Sequence, residues 1–441
     1  MQAAQVTRVQ RVAPRAQAAA ARPASMPRWM YSFGAFHFGA APMDSLQLLF
    51  VTAVLGTTPA ITGLVDAIGY LGTIVTSLML AVWLRPTGNI ARLFVWTVAG
   101  MGVAMICFAL VQSTLLAILL AFVIGLLQGP PSVVAPLLAA EHVRAQLDNP
   151  FTHLSRASSL GAGIGVALSA LWLVMAVDMV TQGMALRLLF AGLGGIAIAG
   201  AWWAQITLRA PKPVRRLAQT GQPPAEPPVD ATSLLAQLSW SEKAVATAAR
   251  SVRAPLLTDA LFFYLAATTL LAVGVGMSFT AIHSFTASEL GAPLSLLMVA
   301  ILAMRFIGFY ISGPAGRGRP SLLAFQSQGV AAMMRAVSIA LLGVVALVLD
   351  GPAAIAGVLL LVALWGMSLG IFNVMGAQIT ADLAMPGRWR QSQALFTTLT
   401  NVGALLGALF GGYIAGVLGF GPMFLIAAAC TAVAALLLLR S

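Results

Sequence analysis

Charge is what this sequence has least of. Only 8% of its 441 residues are Asp, Glu, Lys or Arg, where a soluble chain of this size carries roughly 25%, so no water-solvated globular surface can be built from it. Acid is scarcer still, with 12 Asp and Glu against 24 Lys and Arg. Cysteine occurs twice, as Cys107 and Cys430, each inside an apolar run and without CxxC or Cys/His spacing. That excludes a disulfide framework and a thiolate metal site, and both cysteines are expected to be small buried hydrophobes. No GxxxxGK[ST] loop, nucleophile elbow or paired catalytic carboxylates is present, so ATP-driven chemistry and enzymatic activity are not expected, and neither is a cofactor.

What is present is apolar residue, 60% of the chain. The runs are long and do not alternate, which excludes a barrel and leaves helices as the spanning structure. A crossing needs about 20 apolar residues. Twelve such spans are predicted, at 30–54, 58–82, 92–112, 115–138, 157–179, 186–208, 257–283, 291–314, 328–349, 352–376, 391–417 and 420–440. The ninth contains Arg335, and a surface turn over 325–329 leads into it. In the fourth, Pro130 and Pro131 remove backbone donors and are expected to bend the helix.

The net charge of +12 invites a nucleic-acid reading until the basic residues are placed. With both termini cytoplasmic, 21 of the 24 Lys and Arg fall in the tail, the even-to-odd loops and the C-terminus, leaving Arg187 outside and Arg305 and Arg335 within spans. The positive-inside rule accounts for that asymmetry. The basic balance therefore reports topology, with no nucleic-acid partner. The expected setting is a bacterial inner (plasma) membrane.

Four segments follow. Residues 1–28 are expected to form a basic cytoplasmic tail, although organelle transit peptides share its composition; a cleaved signal peptide is not expected, because the apolar stretch that follows is a full span. Residues 29–208 and 257–441 are six-span blocks. Between them, 209–256 is a polar cytoplasmic loop, flexible over its Pro- and Gln-rich front part. Leu234, Leu235, Leu238, Val245, Ala249 and Val252 recur at helical spacing in its rear part, as in a helix lying on the membrane surface.

The two blocks share features. Gly161, Gly163 and Gly165 in span five match Gly403 and Gly407 in span eleven, and Leu55-Gly56 after span one matches Leu290-Gly291 after span seven. Six spans, a basic loop and six more, together with Asp382, Arg388, Arg390 and the glycines Gly403, Gly407, Gly411 and Gly412 around span eleven, resemble the major facilitator superfamily. The resemblance implies an all-α polytopic membrane protein with 12 helices in two six-helix bundles related by pseudo-twofold symmetry. In that family the loops after spans two and eight carry a glycine- and arginine-rich gating motif with an acid. The corresponding residues are Arg85, Gly88 and Arg92, and Gly313, Arg317 and Arg319; the acid is missing from both loops.

Ionisable side chains inside a bilayer cost several kcal/mol and face a cavity or a partner. His37 and Asp44 lie seven residues apart on span one, and Gln47 extends their face. Asp66 and Tyr70 are one turn apart on span two. Arg305 lies deep in span eight, and is expected to be held by Asp44 or Asp66, one of which also carries a proton; a static ion pair is the other reading. The resemblance further implies a central path lined by spans 1, 4, 7 and 10, which offer Gln128, Thr269, Thr280, Trp365 and Asn373, with Asn401 from span eleven.

This lining is polar, mostly uncharged and partly aromatic. It suits a small neutral or amphipathic solute, and the resemblance implies a secondary transporter that moves it by alternating access, with proton coupling. A membrane scaffold or assembly factor of the same fold, binding a protein or pigment partner, is the alternative.

Overall fold

In the computed structural model, residues 28–83, 90–143, 150–176, 179–208, 259–315, 321–384 and 389–440 are described. They form twelve helices and no strand: α1 (Arg28–Ala53), α2 (Pro59–Trp83), α3 (Ile90–Phe108), α4 (Thr114–Val143), α5 (Pro150–Ala176), α6 (Gln182–Thr207), α7 (Asp259–Ser284), α8 (Leu294–Ala315), α9 (Ser321–Val348), α10 (Gly351–Leu383), α11 (Trp389–Leu418) and α12 (Phe420–Arg440). A π-helical turn, Phe285–Glu289, continues α7. Ten of the twelve are long and apolar enough to cross a membrane. The exceptions are α1, whose sequence is interrupted by His37, Asp44, Ser45 and Gln47, and α3, whose apolar part is short. Lipid explains the perimeter, where Trp96, Leu110 and Tyr310 are more than two-thirds exposed. The chain is an integral membrane protein.

The helices pair in a pattern that repeats. Among the first six, α1 packs on α5 and α6, α2 on α4, and α3 on α4 and α6; among the second six, α7 packs on α11 and α12, α8 on α10, and α9 on α10 and α12. Each second pairing is the first with both numbers raised by six. The two sets meet along α2 against α11 and α5 against α8. The repeated glycines serve equivalent contacts: Gly161 and Gly165 of α5 lie against the backbone of Gly34 and Phe38 of α1, while Gly403 and Gly407 of α11 lie against that of Thr269 and Val273 of α7. Gly34 and Thr269, Phe38 and Val273, and the turn residues Gly56 and Gly291 are all separated by the same 235 positions. Both turn glycines have positive φ, 64° and 55°, a conformation that other residues rarely adopt.

The turn expected over 325–329 and the expected burial of both cysteines are corrected. No turn interrupts 325–329, because α9 starts at Ser321 and Phe325 packs edge-on against Tyr264 of α7 with ring centroids 5.4 Å apart. Arg335 is accommodated there because its guanidinium lies over the ring of Trp365 at 5.4 Å, a contact strengthened by exclusion of water. Cys107 is exposed on the perimeter, whereas Cys430 is half-buried. The prolines of α4 do not end it. Pro130 deprives the Leu126 carbonyl of its usual donor, and the Thr76 hydroxyl of α2 supplies one at 2.8 Å. Helices α4, α5 and α10 run beyond their expected apolar stretches, since a helix leaving the membrane gives no hydropathy signal. The tail 1–27 and the central loop, with the surface helix expected in it, lie outside the described residues.

Candidate functional site

The end of the molecule where α1 starts is the near end, and the opposite one the far end. On α1, Asp44 and Gln47 are one turn apart and point the same way. On α2, Asp66, Gly69 and Tyr70 share a face; on α4, Ala121, Ile124, Gly125 and Gln128 do. These nine residues enclose one cavity of ≈ 60 Å³. It exists because Gly69 and Gly125 face each other: a Cβ on Gly125 would enter the backbone of Gly69, so the two helices touch there and no side chain fills the space beside them. Thr73 fixes the contact by donating to the Gly125 carbonyl at 3.1 Å.

Two carboxylates border this cavity, and each has a donor. Gln128 Nε2 donates to Asp44 Oδ1 at 2.8 Å. The Thr280 hydroxyl of α7 donates to Asp66 Oδ2, so the Asp66 bond crosses from the first six helices to the second. At about 1.5 Å per residue, Asp66 is about 10 Å from the far end of α2 and Gln128 about 21 Å from that of α4, which puts the cavity in the middle depth of a hydrocarbon core roughly 30 Å thick.

The remaining candidates divide. Gln47 and Tyr70 line the cavity. Arg305 is within electrostatic range of Asp44 but hydrogen-bonds neither carboxylate, and its Nε is buried without an acceptor. His37 is wedged between Phe33 and Phe36, with ring centroids 4.5 and 5.1 Å away. Thr269 donates within its own helix to Leu265 and sits at the α7–α11 crossing. Trp365 is buried beneath Arg335. Asn401 donates within its helix to Thr397 at 2.7 Å, and Asn373 is exposed. Arg92 is exposed at the start of α3 and Gly313 lies near the end of α8, while Arg85, Gly88, Arg317 and Arg319 lie outside the described residues.

The residues that sequence reading missed are mostly those that hold helices together. Gly69, Thr73 and Thr76 carry no recognisable spacing, and only the α2–α4 crossing gives them a role. Arg187 is another. It donates to the carbonyls of Ala109 and Val111, both at 2.7 Å, and so caps the far end of α3 while its guanidinium lies 5.4 Å from the Phe50 ring centroid.

The site is closed. A cavity this size admits a few waters, whereas small-molecule sites run to about 300–1,000 Å³. At the far end, α2 and α11 touch through Gly63 and Gly412, where a Cβ on Gly412 would lie 2.6 Å from the Pro59 carbonyl oxygen and 3.0 Å from the Gly63 Cα. Toward the near end, Leu80 of α2, Val133 of α4 and Ala394 of α11 form a buried cluster.

No protein-family model and no curated protein sequence matches the chain. Solved structures do share its fold. A point mutant of the nucleoside transporter NupG superposes with a TM-score of 0.64 at 14% identity, and NupG itself with 0.59 at 16%; each alignment covers 94% of this chain and 98% of the other.

Proposed function

We propose that this protein is a secondary transporter that moves a small neutral or amphipathic solute by alternating access, coupled to protons. The observation that carries the proposal is the Asp66–Thr280 hydrogen bond: an ionisable group bordering a mid-depth cavity is held by the opposite set of helices. A proton arriving from water forms an O–H bond on the carboxylate and changes what Thr280 can donate to. Occupancy of the carboxyl and the fit between the two helix sets are therefore linked, and such linkage is reciprocal.

Two carboxylates disfavour an anion in the cavity, while Gln47, Gln128 and Tyr70 offer donors and acceptors to a neutral solute. A nucleoside has that chemistry, and solved structures of this fold carry the description of nucleoside transporters. The cavity is too small for such a solute as it stands, so the structure corresponds to a closed stage, and binding requires α2 to part from α11. A scaffold has no evident use for a carboxyl held across the moving seam, and nothing else favours that alternative.

The proposed frame is two six-helix bundles, 29–208 and 257–441, joined by a cytoplasmic loop, with both termini cytoplasmic in a bacterial inner membrane. Purified protein in sealed vesicles, given an imposed proton gradient and a panel of labelled nucleosides and other uncharged polar solutes, tests the function. Accumulation that collapses with a protonophore is the expected result. Flux equal to that of protein-free vesicles across the panel would sink the transport reading, and flux indifferent to the gradient would remove the proton.

A further inference from the structure

The molecule has a second, larger hollow of ≈ 500 Å³ on its perimeter, between α1, α5 and α6, with Phe309 of α8 at its edge. Its mouth faces outward, since Tyr31, Leu160, Ile164 and Ile196 are all exposed by more than two-fifths. Its floor is low because α1 and α5 meet without side chains between them: a Cβ on Gly34 would lie 3.1 Å from the Ala157 carbonyl oxygen, and Gly161 abuts the Gly34 backbone. The result is a trough running along the helices, open to lipid.

Its polarity is graded. His153 and Arg156 lie on α5 toward the near end, and Leu160 and Ile164 lie deeper on the same helix. Arg156 to Ile164 is about 12 Å, and Arg156 is about 9 Å inside the start of α5. A helix of 27 residues is about 40 Å long and overhangs a hydrocarbon core of roughly 30 Å, so the guanidinium sits close to the boundary between acyl chains and headgroups. It lies 5.9 Å from the Phe309 ring centroid, and its Nε is buried without an acceptor. A cation at headgroup depth, with an apolar trough leading away from it into the core, matches one kind of molecule.

We propose that the trough holds an acyl chain of an anionic phospholipid whose phosphate accepts from Arg156. The phosphate accepts from the terminal nitrogens of the Arg156 guanidinium in a charge-assisted hydrogen bond, and the chain covers the apolar floor. Because Phe309 belongs to α8 and the rest of the wall to α1, α5 and α6, the lipid touches both sides of the α5–α8 seam. It occupies a place separate from the Asp44 and Asp66 cavity, and its presence does not depend on transport.

The test is native mass spectrometry of the full chain after incubation in detergent with equal amounts of a phosphatidylglycerol and a phosphatidylcholine of distinguishable mass. Wild type is expected to retain one phosphatidylglycerol, favoured by about tenfold, the factor that about 1.4 kcal/mol represents. Arg156→Gln should remove the preference, Arg156→Lys should keep part of it, and Ile164→Trp, which fills the trough, should reduce retention of both lipids. Equal retention of the two lipids by wild type overturns the proposal, as does an unchanged preference in Arg156→Gln. Displacement of the lipid by excess inorganic phosphate, or a dimer with no lipid adduct, also overturns it. Should Ile164→Trp fail to fold, the wild-type and Arg156→Gln comparison still decides.

Discussion

Thr280 and Asp66 stand 214 positions apart in the chain, and the hydroxyl of one donates to the carboxylate of the other in the buried seam between α7 and α2. In the proposed cycle this bond is where a proton and a helix movement meet. Asp66→Asn keeps the size and an acceptor oxygen but cannot take up a proton. It is expected to abolish accumulation driven by a pH gradient while leaving solute counterflow in place, measured in vesicles with and without protonophore. Thr280→Val keeps the proton site and removes the tie. A hydrogen bond is worth about 1 kcal/mol net, so this variant should favour separated helices by about fivefold and stay sensitive to the gradient.

At the second carboxylate, the partner is on the same side of the seam. Gln128→Leu leaves Asp44 without its donor, and an unsatisfied buried group costs about 1–3 kcal/mol. The melting temperature of the purified protein should fall. Asp44→Asn added to Gln128→Leu should recover part of the loss, because an amide is less costly to leave unpaired than a carboxylate. A double variant no more stable than Gln128→Leu would show that the bond contributes little.

The far-end closure rests on two glycines. Gly63→Val puts carbon where the Ala408 carbonyl oxygen stands 2.5 Å from a Cβ, and α11 must move away. With Cys107 and Cys430 replaced, a Gln47→Cys reporter inside the cavity should react slowly with a membrane-impermeant thiol reagent. Adding Gly63→Val should speed labelling by about tenfold, as a population shift of that size would. Unchanged labelling would mean that the Gly63 crossing does not control access.

Arg187 offers a stability test remote from the cavity. Its two charge-assisted bonds to Ala109 and Val111 are worth about 1.5–3 kcal/mol each. Arg187→Gln should lower the melting temperature without altering the fraction of flux that a protonophore removes. A selective change in that fraction would instead tie α3 to the coupling step.

How much of this was legible in the sequence follows from how local each signal is. Ten of the helices could be read because an apolar run long enough to cross a bilayer is written continuously in the chain, while α1 and α3 stood out only as the apolar stretches between polar loops. Helix ends could not, as at Val143 and Leu383, because a helix that emerges into water changes nothing in its backbone pattern. Asp44, Asp66, Gln47, Tyr70 and Gln128 stood out as polar groups in apolar runs, and they do enclose one cavity. What each one bonds was beyond reach. Arg305 looked like the natural partner of the acids by charge, yet the bonds come from Gln128 and Thr280, since partner choice depends on where helices cross. Arg187 read as an exception to a charge rule and is a cap. Gly69 and Gly125 carry no mark until α2 and α4 are set side by side.

The hydroxyl of Thr76, bonded to the carbonyl that Pro130 leaves open, has a mechanical consequence. A proline pair in the middle of a long helix is where a rod would ordinarily flex, and here the neighbouring rod splints the weak point while Thr73 pins the same stretch one turn away. Helices α2 and α4 are thereby riveted into a single stiff plank. In the proposed cycle the two helices would then move as one unit along the margin where α2 lies on α11.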